Sequence, residues 1–150
     1  MQRKPIVVFP ADYPRPLNVV GERITVLASG LDTGAHEMFL QEGPEGSGPP
    51  PHSHPWDESF YVTRGEVAFG IGPDELVAAA GTLVHLPAGT PHWFRFGKGG
   101  GQMVSMTDKG RASQMFAHID REISPTEPDL PKLVGIAMEH GVKVEVPAAA

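Results

Sequence analysis

Residues 46–65 read GSGPPPHSHPWDESFYVTRG, and residues 81–92 read GTLVHLPAGTPH. The fixed points of the first stretch are Gly46, His52, His54, Glu58 and Gly65; those of the second are Gly81, Pro87, Gly89 and His92. His52 and His54 are two residues apart, so on an extended chain both imidazoles leave the same face. Glu58 opens the apolar run ESFYV after the turn-forming PWD, where a strand doubling back can aim its carboxylate at the same point. Pro87 and Gly89 mark a tight turn ahead of a strand beginning at His92.

Three imidazoles and one carboxylate suit a single divalent transition metal, whether Fe, Mn, Ni, Cu or Zn. A hexacoordinate ion on four protein ligands keeps two positions open, which makes a reactive site rather than a structural clamp. His36, His85, His118 and His140 fall outside the pattern and read as surface or satisfied polar residues. His85, on the strand leading into the second stretch, is the one placed to line a cavity mouth.

The two stretches resemble the paired motifs of the cupin superfamily. The first, G, five residues, HxH, three or four residues, E, six residues, G, is matched completely. The second, G, five residues, PxG, two residues, H, three residues, N, is matched at Gly81, Pro87, Gly89 and His92 and departs at its end, where Phe96 stands for Asn. The resemblance implies an all-β cupin jelly roll, a double-stranded β-helix barrel, with His52, His54, Glu58 and His92 as metal ligands.

The rest of the chain fits that expectation. Its 150 residues suggest one domain that buries about two-thirds of its extended surface. The 18 glycines and 16 prolines are spread along the chain, as many turns between short strands require. Strand-like runs lie at 22–28, 36–41, 58–63, 66–71, 75–79, 82–86, 91–97 and 102–108, giving a barrel core of about 20–110. The GKGGG run from Gly97 to Gly101 reads as a hairpin loop between the last two. In the extension of about 111–150, DLPKLVGIAMEH has helical spacing, with Asp129 as cap, Pro131 in the first turn and Gly141 at the end. It reads as one short helix on the outside of the barrel. The preceding SQMFAHIDREI suits a strand or a short helix equally.

The net charge of −6 leaves no basic stripe for nucleic acid or an anionic membrane. With no cysteine, neither a disulfide nor a thiolate metal site is available. The start MQRKPIVVFPADYP is too short in apolar residues for a signal core, and no run approaches the roughly 20 that span a bilayer. A soluble, cytoplasmic protein is expected, with a small molecule as its partner. The extended segment from Pro5 to Pro16 suits a swapped arm, so a homodimer is expected too.

Parity predicts the wall of the site. If Glu58 faces inward, so do Phe60 and Val62; if His92 does, so do Phe94 and Phe96. Such a substrate pocket disfavours sugar phosphates and small dicarboxylates, which need a buried Arg or Lys. Arg64 shares the parity of Glu58, and Arg95 does not. The PPPHSHPWDESFYVTRGEV block and the FAHIDREI segment before the helix are similar to the quercetin-dioxygenase-like cupins. That resemblance implies a dioxygenase acting on an aromatic or enolic molecule, with Glu58 as general base. A non-redox metal-dependent cyclase, isomerase or lyase and a non-catalytic binding cupin use the same ligand set.

Overall fold

The computed structural model describes residues 3–109 and 111–145. After a single 3-10 turn at Pro10–Asp12 come β1 (Leu17–Val19), β2 (Glu22–Ala28), the one-turn helix α1 (Gly30–Thr33) and β3 (Glu37–Gly43). The central part holds β4 (His52–Ser53), β5 (Glu58–Ile71), β6 (Asp74–Ala79), β7 (Leu83–Leu86) and β8 (His92–Thr107). The chain then forms α2 (Ala112–Glu122), α3 (Leu130–Glu139) and β9 (Lys143–Val144). The expected all-β architecture is a curled antiparallel sheet in the order β1-β2-β3-β8-β4-β9, with β5 paired to β6, β7 and β8.

Two long bent strands replace four short ones. The runs at 58–63 and 66–71 are one strand, β5, and those at 91–97 and 102–108 are one strand, β8. The GKGGG run is therefore not a hairpin loop: the ladder passes through it, with Gly65 opposite Gly101 and register shifts on either side of Gly65. Both strands bend here, and glycine is what the bend requires. Gly65 and Gly100 have φ of 75° and 80°, and a Cβ on either would stand 2.5 Å and 2.6 Å from a carbonyl oxygen of the crossing backbone. A glycine run looks like a break in a sequence because it lacks side chains to pack; here that lack admits close backbone approach.

The C-terminal region holds two helices rather than one. In α3, Asp129 caps by accepting from the Lys132 N–H at 3.1 Å, Pro131 lies in the first turn and Gly141 follows the end with φ of 88°. The undecided SQMFAHIDREI is α2, whose Ala112, Met115 and Ile119 recur at helical spacing and are buried.

Neither helix lies outside the sheet. Phe39 opposes Ser105, and Ser105 opposes Phe60, so the three share one sheet face. Phe39 and Ile24 pack with Met115, Ile119, Ile136 and Trp56 in one core, and Phe116 meets Phe39 edge-on at 5.2 Å. The helices thus cover the inner face that β2 and β3 leave open. A second core of Phe60, Val62, Val67, Phe69, Phe94, Phe96 and Met103 fills the curl of β5 and β8. Glu37 fastens the cover, accepting from the Gly30 N–H at 2.7 Å, the Ser113 N–H at 2.8 Å and the Ser113 hydroxyl. Among the described residues no helix is long and apolar enough to cross a membrane.

Candidate metal centre

The four sequence-predicted ligands come together at one end of the curl. His52 opposes His92 across the β4–β8 ladder, and β9 pairs with the other edge of β4 through Val144. The tight turn at Gly89 is fixed to His54 by a hydrogen bond from the Gly89 N–H to the His54 carbonyl at 2.8 Å. Glu58, the first residue of β5, turns its carboxylate to the histidines: Oε1 is 3.1 Å from His54 Nε2 and 3.5 Å from His92 Nε2. His54, Glu58 and His92 are buried, and His52 is half-buried.

Each imidazole is oriented by a backbone carbonyl. His52 Nδ1 meets the Pro50 carbonyl at 2.8 Å, His54 Nδ1 that of Trp56 at 3.0 Å, and His92 Nδ1 that of Thr90 at 2.8 Å. A carbonyl only accepts, so all three rings carry the proton on Nδ1 and turn a bare Nε2 lone pair inward. Trp56 stacks on His54 at 4.4 Å with planes 10° apart, fixing the ring from the helix side.

The donor chemistry fits a cation. With every Nδ1–H engaged, the inward Nε2 atoms of His54 and His92 both lie against the Glu58 carboxylate. His92 Nε2 is fully buried and lacks a hydrogen-bond partner. Only a proton or a metal ion satisfies that set, and a ligand atom from each of the three histidines lies within 4.8 Å of the others. Burial, aided by the nearby His92, pushes the His52 pKa down to about 4, keeping its imidazole neutral and able to ligate. Burial alone would raise the Glu58 carboxyl; hydrogen bonds from a proton held on His54 and His92 Nε2 reverse this and bring its pKa to about 2, the effect a positive charge in that place exerts.

Phe60, Val62, Phe94 and Phe96 all face inward, as parity requires, and none is more than 3% exposed. They are packed against one another, with ring centroids 5.5 Å apart for Phe60–Phe94 and 5.8 Å for Phe94–Phe96. Phe60 alone of the three phenylalanines meets a ligand ring, that of His92 at 6.5 Å. Phe96, where the motif has Asn, exchanges backbone hydrogen bonds with the Gly46 loop at 2.8 and 2.9 Å and packs under Gly43. Arg64 is exposed, because the register shift after Val62 breaks the parity it shared with Glu58. Arg95 is half-buried on the far side, bonded to the Pro49 and Phe94 carbonyls and lying over Trp93. No described Lys or Arg is buried.

A polar part of the inner face was missed from sequence. Thr107 stands opposite Glu58 on β5 and Glu37 on β3, and Ser105 opposite Phe60. The hydroxyls of Ser105 and Thr107, Gln41 Oε1 and Trp56 Nε1 are buried with no protein partner. Alternation in QMVSMTD puts Met103, Ser105 and Thr107 in one phase; that was the available signal. Glu22 is buried with its Oε1 3.2 Å from Gln41 Nε2, and burial, then the charge of Glu58, pushes its pKa up to about 8. A cavity of about 180 Å³ lies against Glu58 and Thr107, rimmed by His36, Asp57, His85 and Asp108. His85 lines this cavity from the outer face of the sheet, not the ligand side: it opposes Ser59, which alternates with inward Glu58 and Phe60, and its Nδ1 is 2.8 Å from the Ser59 hydroxyl.

Residues 39–105 match the family model of the cupin domain. Together with the fold and the two ligand motifs, this match identifies residues 39–105 as a cupin domain. Among curated proteins it is similar to quercetin 2,3-dioxygenase of Bacillus subtilis, 31% identical over 97 residues that make up 63% of this chain and 29% of that protein. It is also similar to acireductone dioxygenase 1 of Pectobacterium atrosepticum, 39% identical over 66 residues, 41% of this chain and 33% of the relative. The chain thus matches only about a third of the length of each. Among solved structures, an RmlC-like cupin from Shewanella frigidimarina superposes with a TM-score of 0.63 at 17% identity, covering 76% of this chain and 99% of that one. That likeness shows the fold alone.

Proposed function

We propose that this protein is a metal-dependent dioxygenase acting on an enolic or aromatic small molecule, in the manner of the quercetin-dioxygenase-like cupins. The carrying observation is the inward set of three bare Nε2 lone pairs around the Glu58 carboxylate, with each Nδ1–H held by a carbonyl. His52, His54, Glu58 and His92 would hold one divalent transition metal, which supplies activation of the substrate and of dioxygen when bound. Both curated relatives are named dioxygenases, and both matches are to parts of those proteins.

The chain's own groups support the substrate class. Glu58 is assigned the proton of the substrate hydroxyl, by analogy with the family. The unpartnered Ser105 and Thr107 hydroxyls and the Trp56 N–H suit a ligand bearing oxygen atoms. The absence of a buried Lys or Arg among the described residues fits an uncharged or metal-chelating substrate. Phe60, Val62, Phe94 and Phe96 form the apolar backing.

The test is elemental analysis of protein purified without chelating resin, followed by oxygen-electrode assays with catechols and flavonols. Iron, manganese, nickel or copper at about one per chain with oxygen uptake supports the proposal. Turnover with zinc and no oxygen uptake would replace it by a non-redox cyclase, isomerase or lyase, and tight binding without product by a binding cupin.

We also propose a homodimer. Ile6, Val7, Phe9 and Tyr13 on the N-terminal segment are 39–74% exposed, an apolar arm with the character of one laid on a second copy. Light scattering giving a mass near the 16.1 kDa chain would overturn this.

A further inference from the structure

The two C-terminal helices carry a second convergence of metal-binding side chains, on residues the barrel site does not use. His118 lies in the second half of α2, while Glu139 ends α3 and His140 follows it. His118 Nδ1 is 3.0 Å from His140 Nε2 and 3.8 Å from Glu139 Oε2. A ligand atom from each of the three lies within 4.8 Å of the others. Both histidines are half-buried, and the Glu139 side chain is 68% exposed.

We propose that His118, Glu139 and His140 bind a divalent cation of the zinc class, clamping α2 to α3. Two imidazoles and a carboxylate are a zinc donor set, with a fourth position left for water. Bonds of about 2.0–2.1 Å place tetrahedral ligand atoms roughly 3.4 Å apart. The two imidazole nitrogens need move by only a few tenths of an ångström, and the exposed Glu139 side chain is free to swing the rest of the way.

The clamp bears on the barrel ligands through packing. Ile119 of α2 and Ile136 and Ala137 of α3 share a core with Trp56, the residue stacked on His54. From His140 the chain runs through buried Val142 into β9, which pairs with His52.

The experiment compares zinc uptake by the metal-stripped full chain with that of His118→Gln and His140→Gln, by elemental analysis after equilibration and gel filtration. Each variant is expected to hold one zinc per chain fewer than wild type and to lose one set of tetrahedral Co2+ absorption bands. The difference of one ion is read whether or not the barrel site binds metal, so failure here and failure of the dioxygenase reading are distinguishable. Equal zinc content in wild type and both variants overturns the proposal and leaves a plain histidine–histidine hydrogen bond. Should either variant lose its fold by circular dichroism, Glu139→Gln carries the test from an exposed position. A tenfold or greater loss of zinc affinity there supports the clamp, and unchanged affinity overturns it.

Discussion

His52 and His92, 40 residues apart in sequence, face each other across the β4–β8 ladder with ring centroids 4.2 Å apart. The two halves of the site are thus joined by strand pairing rather than by a loop. Replacing His52 or Glu58 by alanine should reduce metal retention on the order of 100-fold while the sheet stays folded. Elemental analysis after dialysis, with circular dichroism as the control, measures this. Full occupancy in both variants would sink the ligand assignment.

Strand β9 is the outer support of His52. It pairs Val144 with His52 and Lys143 with Ser53, and the Glu145 N–H reaches the Pro51 carbonyl at 2.8 Å. Removing residues 143–150 should weaken metal binding by roughly 10-fold or more without unfolding the sheet. Competition with a chromogenic chelator reads the affinity, and an unchanged value would mean that β9 has no part in holding the ligand.

Glu22 gives the metal-free protein a pH dependence of definite sign. Its folded pKa of about 8 lies above the ordinary 4.5, so between these values the folded state keeps a proton that the unfolded chain has released. Its contribution is complete below about pH 4.5 and is lost as pH rises through about 8. Glu22→Gln should remove that decline and raise the melting temperature at pH 8 relative to wild type. Melting curves at several pH values that keep the same slope in the variant would contradict this.

The bend at Gly100 tests why glycine is there. Gly99 and Gly100 both have φ near 80°, but a Cβ at Gly99 meets open space and one at Gly100 stands 2.6 Å from the Gly43 carbonyl oxygen. Gly100→Ala should cost about 2 kcal/mol or more, and Gly99→Ala clearly less. Thermal unfolding separates them; equal melting temperatures would show that backbone approach at Gly100 is not limiting.

Much of the architecture was legible because its signals are local. Spacing in residues 46–65 and 81–92 located the ligand strands, and alternation in ESFYV gave the inward face of β5. Capping by Asp129 marked the start of α3. What escaped depends on partners remote in sequence. Gly97–Gly101 reads as a break unless the opposing Gly65 is known to bend with it. SQMFAHIDREI becomes a helix because Ile24 and Phe39 need cover on the sheet's inner face. The polar strip of Ser105 and Thr107 becomes visible only through its register with Phe60 and Glu58. His118 and His140 looked like ordinary surface residues because only the packing of α2 on α3 brings them together.

The pairing of β9 with β4 also bears on the order in which the molecule is made. His52 and Val144 are about 90 residues apart, among the most non-local pairings in the sheet, and such contacts form late because loop closure opposes them. The barrel ligands emerge from synthesis well before the strand that braces them. Metal capture should therefore follow folding rather than guide it, and a nascent chain ending before residue 143 would present a curled sheet with an unfinished site.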